Sequence, residues 1–337
     1  MHESNKMKLG SYGRKPLLKS YGANVVTEKL ESRYGEEYLQ YRKKWALAEN
    51  LQLPAFPLNV VFDLIDACTL KCHHCLRSPD LSASYSDYIG TGKKLSTEDV
   101  IRVMDECYEH KLPSVNIGGS GECMMHPSFI QICIEIMKRG ILELRVTSNG
   151  SLLTTDISEA LIDQQVHFLS ISLDAYTAET YGIVRGKKEK FDMIIDNIMK
   201  FMDLRQKRKS IFPMLRVSFV RQQSNYKEAD RFVEFWSQYA DLIDIQPFVD
   251  YRAKEYNRNF SCNEPWFRLY VCSDGHVVPC CGYTGLVFDL GNITNKSLLS
   301  IWEGDEIKLI REMLLDKKFP DACLKCRGAL VDKFDEA

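Results

Sequence analysis

The chain has 337 residues, of which 45% are hydrophobic, and a formal net charge of −2. This length is enough for a barrel-sized domain with an appendage, or for two domains. The balanced charge gives no indication of nucleic acid as a partner. Because the sequence has neither an apolar run long enough to span a membrane nor the apolar core of a signal peptide, we predict a cytoplasmic protein without membrane association.

The pattern of residues divides the chain into three segments. Residues 1–55 form an N-terminal arm and helix: the chain is polar and aperiodic up to about residue 30, which predicts a loose arm, and Glu31–Leu47 predicts a helix. Residues 56–250 alternate between β-rich and helical runs. Residues 251–337 follow a different pattern, which predicts a small α+β domain.

The middle segment predicts an α/β fold. Its β-rich runs are Val60–Ile65, Ser114–Gly118, Leu142–Thr147, His167–Leu173, Met214–Val220 and Leu242–Val249. Helices are predicted at Thr97–Glu109, Pro127–Arg139, Ile157–Gln164, Lys190–Gln206 and Tyr226–Tyr239. Such alternation is typical of a parallel sheet covered by helices. Right-handed crossovers would curl this series into an open barrel or a wound sheet.

Three cysteines, Cys68, Cys72 and Cys75, directly follow the first predicted strand. In a reducing compartment, clustered cysteines more often bind metal than form disulfides. Three thiolates can hold three irons of a cubane cluster and leave the fourth iron open. An open metal position indicates chemistry, because a structural site closes its coordination shell.

Polar motifs follow the next three strands. They are Gly118–Glu122, Ser148–Gly150 and Ser172–Asp174. In a parallel βα array the carboxyl ends of the strands meet at one mouth, where active sites form. We therefore expect all three motifs to lie near the cysteines.

The CX3CX2C spacing of Cys68, Cys72 and Cys75 resembles the signature of the radical S-adenosylmethionine (SAM) superfamily. His74 departs from that signature, since an aromatic residue usually stands there. The resemblance implies a partial (βα)6 TIM-like barrel with a [4Fe–4S] cluster whose open iron binds SAM. It also implies reductive cleavage of SAM to a 5'-deoxyadenosyl radical that takes a substrate hydrogen atom, with flavodoxin or ferredoxin as electron donor.

The same resemblance assigns contacts to SAM. The segment from Gly118 to Glu122 is similar to the family's Gly-Gly-Glu-Pro segment and places Glu122 on the SAM amino group. The remaining predicted contacts are Gly119, Gly121, Ser148, Asn149, Ser172, Asp174 and Arg185, with Arg185 on the SAM carboxylate. Strand termination, helix capping and surface ion pairing are the structural alternatives for these side chains. Cys123, which stands where the family has proline, is either core filler or a hydrogen donor near the radical.

The last segment carries a second set of cysteines, Cys262, Cys280, Cys323 and Cys326. Asp274-Gly275 predicts a hairpin turn, and Ser297–Leu315 predicts an amphipathic helix. The pattern resembles the auxiliary-cluster domains called SPASM and twitch, which implies one fully ligated [4Fe–4S] cluster. Cys272 or Cys281 could replace one ligand, and a structural zinc knuckle is the alternative.

We expect a radical SAM oxidoreductase or epimerase that acts at a carbinol carbon of a small sugar or aminocyclitol. The alternatives are a maturase that epimerises or cross-links a peptide and, in another class, a non-enzymatic iron–sulfur or zinc protein. We expect Arg216, Ser218 and Gln246 to face the substrate. An error of about one residue in the predicted strand register would turn each side chain to the other face of the sheet.

Overall fold

The structure is a computed structural model that describes residues 19–82, 89–280, 287–331 and 334. The first 18 residues of the predicted arm, and Cys281, lie outside this range. Among the helices of the described part, none combines the length and the apolar character that crossing a bilayer requires.

One mixed sheet organises the chain. Its strands are β1 (Lys19–Tyr21), β2 (Asn59–Phe62), β3 (Ser114–Ile117), β4 (Glu143–Ser148), β5 (Phe168–Ser172), β6 (Met214–Arg221), β7 (Leu242–Val249), β8 (Arg268–Val271), β9 (Val277–Val278) and β10 (Leu330–Val331). The strand order is β1-β7-β6-β5-β4-β3-β2-β8-β9, and β10 also pairs with β7. Strands β2 to β7 run parallel to one another, whereas β1 and β10 are antiparallel to β7.

Helices connect these strands. They are α1 (Ala23–Tyr34), α2 (Glu36–Glu49), α3 (Pro79–Ser82), α4 (Thr97–Glu109), α5 (Phe129–Lys138), α6 (Thr155–Asp163), α7 (Ala178–Arg185), α8 (Phe191–Lys207), α9 (Ala229–Trp236), α10 (Leu298–Trp302), α11 (Asp305–Leu315) and α12 (Asp321–Leu324). The order of strands and helices confirms the predicted α/β partial barrel. All six predicted strands are present, with ends that shift by up to three residues.

The N-terminal segment differs from its prediction. Gly35, with φ of 58° and ψ of −135°, separates two helices where one was predicted, and α1 occupies part of the predicted loose arm. Helix α2 closes the amino end of the barrel: the hydroxyls of Tyr38 and Tyr41 donate to the Glu143 carboxylate at 2.8 and 3.2 Å. These contacts join residues about 100 positions apart, and so no local sequence pattern could predict them.

The C-terminal segment extends the barrel sheet. Strands β8 and β9 form the predicted hairpin, and Gly275 turns between them at φ of 82°. The sequence did not predict that β8 pairs in parallel with β2. This pairing places the hairpin beside the first barrel strand. The predicted helix at residues 297–315 is interrupted at Gly304 and forms α10 and α11.

Candidate active site

A cavity of about 390 Å³ lies at the carboxyl ends of the parallel strands. This volume falls within the range of small-molecule sites in proteins. The cavity is lined by both sets of predicted cysteine ligands, namely Cys68, Cys72, Cys75, Cys262, Cys280, Cys323 and Cys326. Thiols that are up to 258 positions apart therefore face one chamber.

The loop that carries Cys68, Cys72 and Cys75 is held on several sides. The Arg77 guanidinium donates to the Ser120 carbonyl and to the Asp66 carboxylate. The backbone N–H of His73 donates to the Val184 carbonyl at 3.1 Å. From the C-terminal segment, Arg252 donates to the His73 carbonyl at 2.9 Å. The cysteine loop is thus positioned by the barrel and by the C-terminal segment together.

A buried ion pair supports Cys72. Asp174, fully buried with φ of 61°, lies 2.5 Å from the guanidinium of Arg185 at the end of α7. Arg185 approaches the Cys72 thiol at 3.6 Å. Although burial opposes the charge, the Asp174 carboxylate holds the pKa of Arg185 above its ordinary value.

This pair changes the interpretation of two predicted SAM contacts. Asp174 binds Arg185 and the Val220 backbone N–H and is absent from the cavity lining, so its observed contacts position the cysteine loop. Arg185 does line the cavity, and its contact to the SAM carboxylate stays a prediction. Helix α7 was missing from the sequence prediction, although Thr177 caps it and Gly186 ends it.

The predicted motifs after β3 and β4 meet at Glu122. Its two carboxylate oxygens accept hydrogen bonds from the Ser148 hydroxyl at 2.8 Å and from the Asn149 backbone N–H at 2.7 Å. The Asn149 side chain donates to the Thr69 hydroxyl at 3.0 Å, within the cysteine loop. Burial raises the pKa of Glu122, and these donors oppose that shift. All three predicted contacts line the cavity, as does Ser172 at the end of β5.

Gly119 and Gly121 also line the cavity, but the neighbouring protein itself requires glycine there. A Cβ atom at Gly119 would lie 1.9 Å from the Tyr270 hydroxyl, and one at Gly121 would lie 1.9 Å from the Ile65 carbonyl oxygen. These glycines therefore allow the loop to pack against the strands beside it.

Cys123 faces the core. Its side chain is 2% exposed, it is absent from the cavity lining, and its thiol donates to the Thr147 carbonyl at 3.3 Å. A hydrogen donor must reach the substrate, and this burial argues against that role. Of the two alternatives, the structure favours core filler.

The cysteines predicted to bind the auxiliary cluster lie together beside the barrel mouth, namely Cys262, Cys280, Cys323 and Cys326. Cys323 and Cys326 lie in one turn, where the Cys326 N–H donates to the Cys323 carbonyl at 3.2 Å. Cys272 belongs to the hairpin, where its N–H bonds the His276 carbonyl, and its side chain is absent from the cavity lining. Cys272 packs in a core cluster with Tyr270, and its role as a replacement ligand stays a prediction.

The chemistry of both sites fits iron–sulfur clusters. Beside Cys72, the buried Nδ1 of His74 and Nε of Arg185 have no hydrogen-bond partner within the described residues. Burial raises the pKa of Cys68 to about 11 and that of Cys323 to about 12, so that metal binding would displace protons. In the described part of the chain, no three potential ligands lie close enough to share one metal ion. A cubane distributes its thiolates over separate irons and suits this wider spacing.

Sequence reasoning missed several polar residues of the cavity, namely Arg145, Asn116 and Tyr270. Alternation along β4 could have found Arg145, because it lies two residues before Thr147 and shares its face. Arg216, Ser218 and Gln246 line the cavity, as predicted.

Two family models match the chain. Residues 63–217 match the radical SAM superfamily, and residues 262–327 match SPASM, an iron–sulfur cluster-binding domain. The first match contains Cys68, Cys72 and Cys75. The second contains the four auxiliary cysteines.

Curated relatives include a cofactor-modifying protein, a bacteriocin biosynthesis protein and a maturase. A tungsten-containing aldehyde ferredoxin oxidoreductase cofactor-modifying protein of Pyrococcus furiosus is 22% identical over 78% of this chain and 85% of its own. The subtilosin biosynthesis protein AlbA of Bacillus subtilis is 24% identical over 80% of this chain. The mycofactocin maturase MftC of Mycobacterium tuberculosis is 27% identical over 56% of this chain. The chain spans only 64% of AlbA and 44% of MftC.

Solved structures share the fold. Streptococcus suis SuiB bound to SAM superposes with a TM-score of 0.61 at 17% identity, covering 86% of this chain and 78% of SuiB. BtrN in complex with SAM and 2-DOIA superposes at 0.54 and 14% identity, covering 83% of this chain and 95% of BtrN.

Radical SAM domains bind a [4Fe–4S] cluster and SAM, and SPASM domains bind auxiliary iron–sulfur clusters. The two matched regions contain the seven cavity-lining thiols in the same division, three in the first and four in the second. The chain therefore contains a radical SAM domain at residues 63–217 and a SPASM iron–sulfur cluster-binding domain at residues 262–327.

Proposed function

We propose that this radical SAM enzyme modifies a peptide, using its auxiliary cluster to exchange an electron with the substrate radical. The observation that carries the proposal is the single cavity lined by both cysteine sets. A substrate held there would lie between the site of hydrogen removal and a second redox centre. AlbA and MftC, by their names a bacteriocin biosynthesis protein and a maturase, support a peptide over the small sugar or aminocyclitol that we expected first.

The residues around the mouth would hold the cofactors. Cys68, Cys72 and Cys75 would ligate the first cluster, and Glu122 would bind the SAM amino group, since a carboxylate makes charge-assisted hydrogen bonds to an ammonium. When bound, the cluster and SAM supply a radical that removes a hydrogen atom from the substrate. The buried strands below the mouth exclude water and orient the substrate.

The auxiliary cysteines favour electron transfer over substrate ligation. Cys262, Cys280, Cys323 and Cys326 would close the coordination of one [4Fe–4S] cluster and leave no open iron. Loss of an electron from a substrate radical gives an oxidised or cross-linked product, whereas gain of a hydrogen atom gives an epimer. A flavodoxin or a ferredoxin would supply the electrons that the first cluster needs.

The test uses anaerobically reconstituted enzyme as bait for the short peptides encoded beside its own coding sequence. A retained peptide is then incubated with SAM and dithionite in D₂O and analysed by mass spectrometry. We expect a modified peptide and 5'-deoxyadenosine, both absent with the Cys68→Ala/Cys72→Ala/Cys75→Ala variant. Two lost hydrogens would indicate oxidation or cross-linking, and one gained deuterium would indicate epimerisation. Turnover of sugars or aminocyclitols without any peptide modification would contradict the proposal.

A further inference from the structure

The floor of the cavity is formed by side chains of the barrel strands. Arg145 of β4 pairs in register with Asn116 of β3, so that the two side chains share a face, and both line the cavity. Arg145 lies three residues before Ser148, or roughly 10 Å lower along the strand. It is therefore well below the predicted SAM contacts at the mouth.

Most arginines around this cavity have a carboxylate partner. The pairs are Arg77 with Asp66, Arg185 with Asp174, Arg216 with Asp244, and both Arg268 and Arg327 with Glu264. The pairs of Arg216 and Arg268 are close, at 2.6 and 2.7 Å. Each of these guanidinium groups thus has a carboxylate within ion-pair distance, and two of them share Glu264.

Arg145 differs from all of them. Within the described residues no carboxylate lies within ion-pair distance of its guanidinium, and its buried Nε has no hydrogen-bond partner. Its guanidinium lies 5.0 Å from the centroid of the Phe168 ring, and Glu143 and Asp244 are near enough to favour its charge without forming an ion pair. Burial, with the nearby charge of Arg216, lowers the pKa of Arg145 to about 10, which leaves the group charged at neutral pH.

The neighbouring carboxylates are already engaged. Glu143 accepts hydrogen bonds from two tyrosines of α2 and lies 3.7 Å from Arg42. Asp244 binds Arg216 and also accepts from the Ser20 hydroxyl at 2.6 Å. A buried charge without a partner is costly, so a cavity that retains one is suited to a ligand of opposite charge.

We propose that Arg145 binds a carboxylate of the substrate at the floor of the cavity. A planar guanidinium presents a fork of N–H donors that matches a carboxylate. The single positive charge of Arg145 matches the single negative charge of that group, and the Asn116 amide beside it would donate further. On the basis of the proposed function, the substrate is a peptide whose acidic side chain or C-terminal carboxylate points to the floor of the cavity.

Calorimetry on the anaerobic holoenzyme tests this with three small probes. N-acetylglutamate α-amide presents a side-chain carboxylate, N-acetylalanine presents a C-terminal carboxylate, and N-acetylglutamine α-amide is the neutral match of the first. We expect at least one carboxylate to bind with a Kd on the order of 1 mM, and the neutral probe to bind at least about tenfold more weakly. The carboxylate probe that binds more tightly shows whether the site holds a side-chain carboxylate or the C-terminal carboxylate of a peptide.

Three variants locate the binding. Arg145→Gln should weaken carboxylate binding about tenfold or more, and Arg145→Lys, which retains the charge without the fork, should be intermediate. Arg231→Gln, an exposed arginine on α9, should bind like the wild type. If Arg145→Gln does not fold, as judged by circular dichroism and iron content, the comparison rests on Arg145→Lys.

Several results would overturn the inference. These are binding of neither carboxylate below about 50 mM, equal binding by wild type and the Arg145 variants, and equal binding of the neutral probe. A loss of SAM affinity in Arg145→Gln as large as the loss of carboxylate affinity would assign the residue to the SAM site instead. If carboxylate binding depends on Arg145 while no peptide is modified, the inference stands and the peptide proposal fails.

Discussion

Asp174 and Arg185 form an ion pair of 2.5 Å that places a guanidinium beside the thiol of Cys72. The carboxylate comes from the end of β5 and the arginine from the last turn of α7. The pair fixes a positive charge against a loop that would carry three thiolates. It thus links the barrel wall to Cys72, a predicted ligand of the first cluster.

Replacement of Asp174 by asparagine should therefore destabilise the protein. The change leaves the Arg185 charge buried without its partner, which costs about 3–5 kcal/mol when a buried pair is broken. We expect a lower unfolding midpoint and loss of iron from the first cluster, measured by denaturation and by iron and sulfide content. Asp163→Asn, at an exposed pair with Arg208, is the control. Normal stability and iron content in Asp174→Asn would remove this role from the pair.

Glu122→Gln should weaken SAM binding. The amide cannot form a charge-assisted bond to the SAM ammonium, and the loss of such a bond costs about 1.5–3 kcal/mol, or tenfold or more in affinity. Equilibrium dialysis with SAM on reconstituted enzyme measures the effect. Glu159→Gln, a carboxylate that pairs with Arg208 outside the cavity, should leave affinity unchanged. Equal SAM affinity in both variants would show that Glu122 does not bind SAM and only accepts hydrogen bonds from Ser148 and Asn149.

Replacement of Cys262, Cys323 and Cys326 by alanine should remove one cluster. We expect iron to fall from about eight to about four atoms per chain, together with loss of the modified product. Cys107→Ala, a core cysteine of α4 that is 0% exposed, should keep its iron. One zinc per chain in the wild type, lost in the triple variant, would instead identify a structural zinc site.

Cys123→Ala should leave the chemistry unchanged, because the side chain is absent from the cavity lining. The deletion leaves a small void in the core and should cost about 1 kcal/mol of stability. Mass spectrometry of product formed in D₂O is the measurement. A loss of solvent deuterium from the product of this variant alone would restore Cys123 as a hydrogen donor.

The buried His167 should make the fold sensitive to acid. Its Nδ1 accepts from the Leu144 N–H at 2.8 Å, and burial followed by the charge of Arg33 lowers its pKa to about 3. In the unfolded chain His167 binds a proton below about pH 6.5, whereas in the folded chain it does so only below about pH 3. Stability therefore falls as pH decreases through this window. The loss is about 1.4 kcal/mol per pH unit, or about 2 kcal/mol by pH 5.

Unfolding midpoints of the His167→Asn variant at pH 7 and at about pH 5 test that dependence. The variant should be less stable at pH 7 but should lose less on acidification than the wild type. His110→Asn, at an exposed histidine, should retain the wild-type dependence. An equal loss in wild type and His167→Asn would assign the acid sensitivity to other groups.

The sequence alone determined what is local. Ligand spacing within eight residues predicted the first cluster site at Cys68, Cys72 and Cys75, and hydrophobic runs identified the six barrel strands. Their order along the chain placed the polar motifs at one mouth, because parallel strands share their carboxyl ends. Glu122, Ser148 and Asn149 were found in this way, and they meet in the cavity.

Only the tertiary structure decided which side chains are already paired. Asp174 and Arg185 were both predicted as SAM contacts, yet they bind each other, and Arg145, which no motif marks, retains a charge without a carboxylate partner among the described residues. Packing likewise buries Cys123 and Cys272, neither of which lines the cavity. The physical reason is that ion pairing and burial depend on residues distant in sequence. A pattern of residue types shows which groups can bind, and the fold decides which of them remain available.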